Sequence, residues 1–220
     1  MSGYQTKTET IAVGGVATIV RSLLDRQQFF DPLGDAQRVG ISSAAWPLFG
    51  LVWPSALVLA AHLQQLPLGQ RQVLEVGCGL ALASLVVHRR HGFVTASDRH
   101  PLTEAFLREN LRLNDLAPLR YCRGDWATHN PALGRFDLIV GSDLLYDRGH
   151  PGQLAAFIER HAHPAAEVVI ADPDRGNRVA FNRAMADLGF VRSERAVTCL
   201  PGSGLAYKGR LLSYRRVALA

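Results

Sequence analysis

A chain of 220 residues, nearly half of them apolar and a fifth charged, can bury an α/β core, which sets aside disordered and fibrous proteins. The net charge of +5 is mild and unclustered, so it admits an acidic protein or a nucleic acid as partner without selecting either. Three widely separated cysteines, Cys78, Cys122 and Cys199, form no CxxC pair, so neither a zinc site nor a disulfide framework is expected.

The first ten residues are polar and lack the apolar core of a signal peptide, which gives the expectation of a cytoplasmic protein. Glu9 to Leu23 alternates around Gly14-Gly15, the pattern of a β-hairpin with a tight glycine turn. Asp31 to Gly34 reads as a turn, and the stretch to Gly40 as a linker. The longest apolar stretch, around Leu48 to Leu63, follows Pro47, is interrupted by Pro54 and carries His62; it is too broken to span a membrane. Pro54 instead opens a helix just after Trp53.

From Arg71 strands and helices alternate. Strands are expected at Val73 to Val76, Phe93 to Ala96, Leu119 to Arg123, Phe136 to Val140 and Glu167 to Ala171. Helices are expected at Ala81 to His91, Pro101 to Leu113, Pro151 to His161 and Asn177 to Leu188. The basic run His88-Arg89-Arg90-His91 falls where a helix ends, so its charges complement the helix dipole. Two last strands, Phe190 to Leu200 and Tyr207 to Val217, flank a glycine-rich loop. This order predicts an α/β fold: a mostly parallel seven-stranded sheet with helices on both faces and a terminal antiparallel hairpin.

In such a sheet, ligands sit beyond the carboxyl ends of the strands. The first strand of the alternation runs into Glu75-Val76-Gly77-Cys78-Gly79-Leu80-Ala81. Glycines at Gly77 and Gly79 let a ligand approach the backbone, and the next helix offers free N–H groups. A redox dinucleotide site wants a third small residue at the position of Leu82, where the bulk argues against NAD or FAD. Asp98 closes the next strand, where a carboxylate either accepts hydrogen bonds from ribose hydroxyls or caps a helix ahead of Pro101. Gly124-Asp125-Trp126 pairs an acid with an aromatic, which suits an adenine.

Glu75-x-Gly77-x-Gly79-x-Ala81, Asp98, Asp125-Trp126 and Phe136-Asp137-Leu138-Ile139 together resemble the successive motifs of the seven-β-strand (class I) S-adenosylmethionine (SAM)-dependent methyltransferases. The resemblance covers Trp53 to the C-terminus. The hairpin, Trp53-Pro54, Ser97-Asp98-Arg99 and Asp143-Leu144-Leu145-Tyr146 look like the protein-lysine methyltransferase branch. Asp172-Pro173-Asp174-Arg175 is similar to the D-P-G-R stretch of its electron-transfer-flavoprotein β-subunit lysine methyltransferases. Ala81 and Asp174 each stand where the family pattern has glycine.

The resemblance implies a Rossmann-like domain over residues 53–220, preceded by a hairpin extension and linker over residues 1–52. It also implies SAM as cofactor, leaving S-adenosylhomocysteine as product. Glu75, Gly77 and Gly79 would hold its methionine part, Asp98 the ribose, Asp125 and Trp126 the adenine, and Trp53 would lie over it. Asp143 and Tyr146 would be the catalytic pair, Asp143 orienting an amine and relaying its proton, Tyr146 walling the channel and hydrogen-bonding. The prolines of the Asn/Asp-Pro-Pro-aromatic motif, which grips planar NH2 groups, are missing from Ser142 to Tyr146, which disfavours a nucleobase or glutamine acceptor.

The expected reaction is therefore N-methylation of a protein lysine, ahead of a small-molecule amine, an RNA, or a SAM-binding module without turnover. No metal is expected: His161 and His163 read as solvated surface, and His150 as at most a general base.

Overall fold

The structure, a computed structural model, describes residues 3–218; the outermost positions of the two expected segments, 1–2 and 219–220, lie outside it. Strands β1 (Thr6–Val13) and β2 (Val16–Leu23) form the antiparallel hairpin, closed by Gly14 and Gly15 in left-handed backbone. A helix not foreseen, α1 (Asp35–Arg38), interrupts the expected linker; the Asp31 carboxylate accepts the Ala36 and Gln37 N–H groups at its start. A 3-10 turn over Trp46–Gly50 leads to α2 (Pro54–Gln65), with Pro54 at its first position. The apolar run Trp46–Gln65 is thus split, and a 12-residue helix of about 18 Å falls short of a hydrocarbon core.

The main domain follows in the expected alternation: β3 (Gln72–Val76), α3 (Leu82–Arg89), β4 (Phe93–Ser97), α4 (Thr103–Leu113) and β5 (Arg120–Tyr121). Then come β6 (Phe136–Ser142), α5 (His150–His161), β7 (Ala162–Asp172), α6 (Arg178–Asp187), β8 (Val191–Cys199) and β9 (Ala206–Arg216). Most boundaries shift from expectation by a few residues, two of them for a visible reason. Pro101 lies in a turn before α4 rather than at its start, because His100 caps that turn through Leu102 N to Nδ1 at 3.2 Å and Thr103 N to its carbonyl. Strand β7 begins five residues early, along an irregular stretch holding Pro164, where its pairing with β6 jumps from Phe136–Ala162 to Leu138–Glu167.

The seven strands run in the order β5-β4-β3-β6-β7-β9-β8, with β9 antiparallel to both neighbours and the rest parallel. Strand residues alternate between two cores. Val73, Ala96, Leu138 and Val169 pack toward α2, α3 and α4, while Leu74, Val76, Ile139 and Val168 pack toward α5 and α6. The hairpin joins the first core through Val13, Val20 and Leu23. Its open edge is closed by α4: the side-chain amide of Asn110 bonds both the N–H and C=O of Arg21, and that of Asn114 both those of Ile19. Chain order reverses between β3 and β6, and the crevice beyond their carboxyl ends is where a ligand is accommodated in such sheets.

Candidate active site

That crevice is a cavity of about 320 Å³, within the range of small-molecule sites. One side of it is made of backbone. Gly77 and Gly79 hold φ of 56° and 51°, and a Cβ at either would lie 2.7 Å from Leu144 Cδ2 or 2.8 Å from the Phe49 carbonyl oxygen. The loop between β3 and α3 therefore tolerates nothing larger at these positions and leaves its edge bare. Ala81 is also left-handed, at φ 57°, which is why the pattern favours glycine there.

Asp98 ties the loop to the end of β4. Its Oδ2 accepts Gly79 N at 2.9 Å and its Oδ1 accepts His100 N at 2.8 Å. Each oxygen retains a lone pair for a ligand donor, so the cap and ribose roles coexist. Burial raises its pKa above the usual aspartate range, against those two hydrogen bonds. Asp125, Trp126 and Trp53 also line the cavity. The Trp126 ring lies 3.4 Å from where a Gly77 Cβ would stand, and its carbonyl is held by Arg160 at 2.6 Å. Trp53 is fixed by its Nε1–H to the Leu48 carbonyl at 2.8 Å.

Glu75 corrects the sequence expectation: it does not line the cavity. The two-residue period of β3 turns it toward α3, where Oε2 accepts Ser84 N at 2.7 Å and Ser84 Oγ at 2.6 Å. It caps that helix from a distance, since Ala81 carries no capping oxygen. Complete burial raises its pKa from 4.5 to about 7 despite these bonds.

The other side of the cavity is built from side chains. Asp143, just past β6, holds φ 53° and donates its N–H to the Ala171 carbonyl at 2.8 Å, which fixes it against β7. Its carboxylate is already paired: Arg175 Nε donates to Oδ1 at 2.5 Å. Arg175 is in turn anchored by its backbone N–H on Asp172 Oδ1 at 2.7 Å. The fully buried Asp172 has its own pKa raised by burial and leaves Oδ2 without a partner among the described residues. Tyr146 stands at the rim, 44% exposed, its ring edge-on to His150 at 4.5 Å; its hydroxyl makes no hydrogen bond among the described residues.

Among the lining residues that sequence reading missed, three bear on the chemistry. Arg175 lies 32 positions from Asp143, and only the pairing of β6 with β7 brings them together. His100 stacks on Phe49 with centroids 3.7 Å apart, and burial holds it neutral, with its pKa lowered to about 3. Phe49 itself comes from the segment ahead of α2, which covers the cavity from the N-terminal side. His150 donates its Nδ1–H to the Leu144 carbonyl at 2.7 Å, which in the neutral ring leaves Nε2 as the acceptor. His161 is not solvated as expected: it is buried against Phe157 and bonded to the Gly134 carbonyl. Among the described residues no group of three metal-ligating side chains exists, and all three cysteines are free.

Comparison with known proteins bears on the family and the fold. A family model described as lysine methyltransferase matches residues 45–185, more than half of the chain. The electron transfer flavoprotein beta subunit lysine methyltransferase of Danio rerio is 32% identical over 134 residues, covering 59% of this chain and 51% of that protein. The magnesium-protoporphyrin O-methyltransferase of Rhodobacter capsulatus is 30% identical over 134 residues, 59% of this chain and 57% of its own. The chain thus spans about half the length of these relatives. A solved methyltransferase from Pyrococcus furiosus superposes with a TM-score of 0.58 at 18% identity, over 83% of this chain and 98% of that one. Magnesium protoporphyrin IX methyltransferase from Synechocystis, solved with bound SAM, gives 0.57 at 17% identity, over 74% and 78%. These two likenesses show the fold; the family match goes further, and this chain belongs to the lysine methyltransferase family.

Proposed function

We propose that the chain is a SAM-dependent N-methyltransferase whose acceptor is a lysine side chain of a protein. The observation that carries this reading is one cavity with two unlike walls. A glycine-bare loop with Asp98, Asp125 and Trp126 lies on one side, and Asp143 with Tyr146 on the other. The first wall suits an adenosyl sulfonium. Gly77 and Gly79 leave room where a Cβ would collide, Asp98 keeps two acceptor sites for ribose hydroxyls, and Asp125 beside Trp126 offers a carboxylate and a ring to adenine. The relatives named as protein methyltransferases, acting on lysine, histone arginine or histidine, support a protein acceptor.

SAM, when bound, supplies a methyl group on a cationic sulfur that reacts with a lone pair. The chain must present that lone pair. A lysine has an ordinary pKa of about 10.4 and arrives as an ammonium without one. Asp143 receives the ammonium, orients it, takes up the proton it loses and passes that proton to solvent, so that the neutral amine's lone pair meets the methyl.

The test uses radiolabelled SAM and extract of the host cell. Label that becomes soluble on protease treatment, and sits on lysine after hydrolysis, is the expected result. Label released by nuclease would replace the protein acceptor with RNA, and label in the small-molecule fraction would replace it with a free amine. Binding of SAM in calorimetry without any transfer would leave a binding module.

A further inference from the structure

The ion pair at the acceptor wall poses a problem for the reaction just proposed, and its solution names the substrate more closely. Asp143 is 11% exposed and its carboxylate is occupied by Arg175, so an incoming ammonium meets a cation already in its place. Arg175 is built into that position. Its backbone N–H is fixed on the buried Asp172, its Nε reaches Asp143, and it lines the cavity. Its terminal amino groups make no hydrogen bond to any described residue, and the side chain is 38% exposed. A guanidinium so exposed can leave a carboxylate at little expense, because water and salt already weaken the pair.

The charge of the cavity points the same way. Its lining holds three acids, Asp98, Asp125 and Asp143, against two arginines, Arg99 and Arg175. SAM, with a carboxylate, an ammonium and a sulfonium, brings a net positive charge that neutralises this lining. A lysine ammonium entering alone would then leave an uncompensated cation in a confined space, displacing another cation, Arg175, into it. A substrate that carries its own carboxylate beside the lysine avoids both costs.

We propose that Arg175 is a specificity-determining residue. It stands in for the acceptor's cation on Asp143, so that a lysine enters by exchange of ion pairs and is selected when an acidic residue lies next to it. In the exchange the Asp143–Arg175 pair and the substrate's lysine–carboxylate pair become Asp143–lysine and Arg175–carboxylate, and the total charge does not change. The two free terminal amino groups of Arg175 match a carboxylate in the bidentate manner that lysine cannot reproduce. This inference rests on the lysine reading.

The test compares two dipeptides, acetyl-Lys-Glu-amide and acetyl-Lys-Gln-amide, added to 15N-labelled protein saturated with sinefungin, an unreactive SAM analogue whose extra amine keeps a cation near the position of the sulfonium. The Nε–H signal of Arg175 is identified as the one missing from the Arg175→Lys variant. The Glu dipeptide is expected to move that signal, and to bind about fivefold more tightly than the Gln dipeptide. Ligand-observed affinities for Arg175→Gln, measured at saturation with the same analogue, are expected to show the two dipeptides equal. A signal that stays in place, a shift of the same size at the same concentration with both dipeptides, or a preference that survives in Arg175→Gln overturns the inference. None of these results touches the methyltransferase reading, which fails separately if S-adenosylhomocysteine and SAM do not bind in calorimetry.

Discussion

The two walls of the cavity are made in different ways. The wall from β3 and β4 is backbone held in left-handed turns, with Asp98 and Glu75 each committed to amide N–H groups. The wall from β6 and β7 is side chains in an ion pair, partly open to water, with a tyrosine at the rim. A backbone cradle cannot be retuned by single substitutions without distorting the turn, whereas a side-chain wall can be rewritten one residue at a time. Such a division fits a cofactor that stays the same and an acceptor that varies, and it explains why fold and family leave the acceptor to be argued from the second wall.

The contrast can be broken most sharply at Asp143. Asp143→Asn keeps the shape but removes the charge; turnover is expected to fall about a thousandfold while SAM affinity, read by calorimetry, changes less than about threefold. Gly79→Ala attacks the other wall. Its Cβ would meet the Phe49 carbonyl at 2.8 Å in a left-handed backbone, so SAM affinity is expected to fall about 100-fold, with a lower thermal midpoint.

Glu75 sharpens the comparison through stability alone. Its folded pKa of about 7 lies above the ordinary 4.5, so between those values the folded chain holds a proton that the unfolded chain has lost. Its contribution therefore declines as pH rises through that window, by about 3 kcal/mol in all. Urea unfolding across this range should show the decline, and Glu75→Gln should flatten it. The smallest effect is expected at Tyr146. Because its hydroxyl makes no hydrogen bond among the described residues, Tyr146→Phe should change turnover by less than about threefold. A larger loss would give the hydroxyl a role at the acceptor.

Most of the sheet was legible because each strand and helix carries its period locally, from Val73 to Val76 through Tyr207 to Arg216. The glycine loop and Asp98 were legible for the same reason: residue type and spacing alone define them. Glu75 was assigned to the cofactor because an acid beside a glycine loop names a chemistry but not a direction; the pleat of β3 decides that. Arg175 belongs to a recognisable motif, but its role is hidden from sequence because its partner is set by strand pairing and not by sequence distance. The four-residue α1 is too short to show a period, and His161 is buried by packing on Phe157 that no local pattern announces.

The asparagine clasp on the hairpin bears on the order in which the chain assembles. β1 and β2 can close on each other as soon as they are made, but the amides that seal β2 lie 89 and 95 positions further along. At ribosomal speeds that is roughly 5 to 20 s of synthesis, during which the seam at Ile19 and Arg21 has only water to satisfy it. The hairpin is translated before α4 and is thus among the last parts to settle, and an exposed strand margin in a nascent chain is where another strand can add. Asn110 and Asn114 end that exposure, and their loss would be felt in the yield of native protein before it is felt in catalysis.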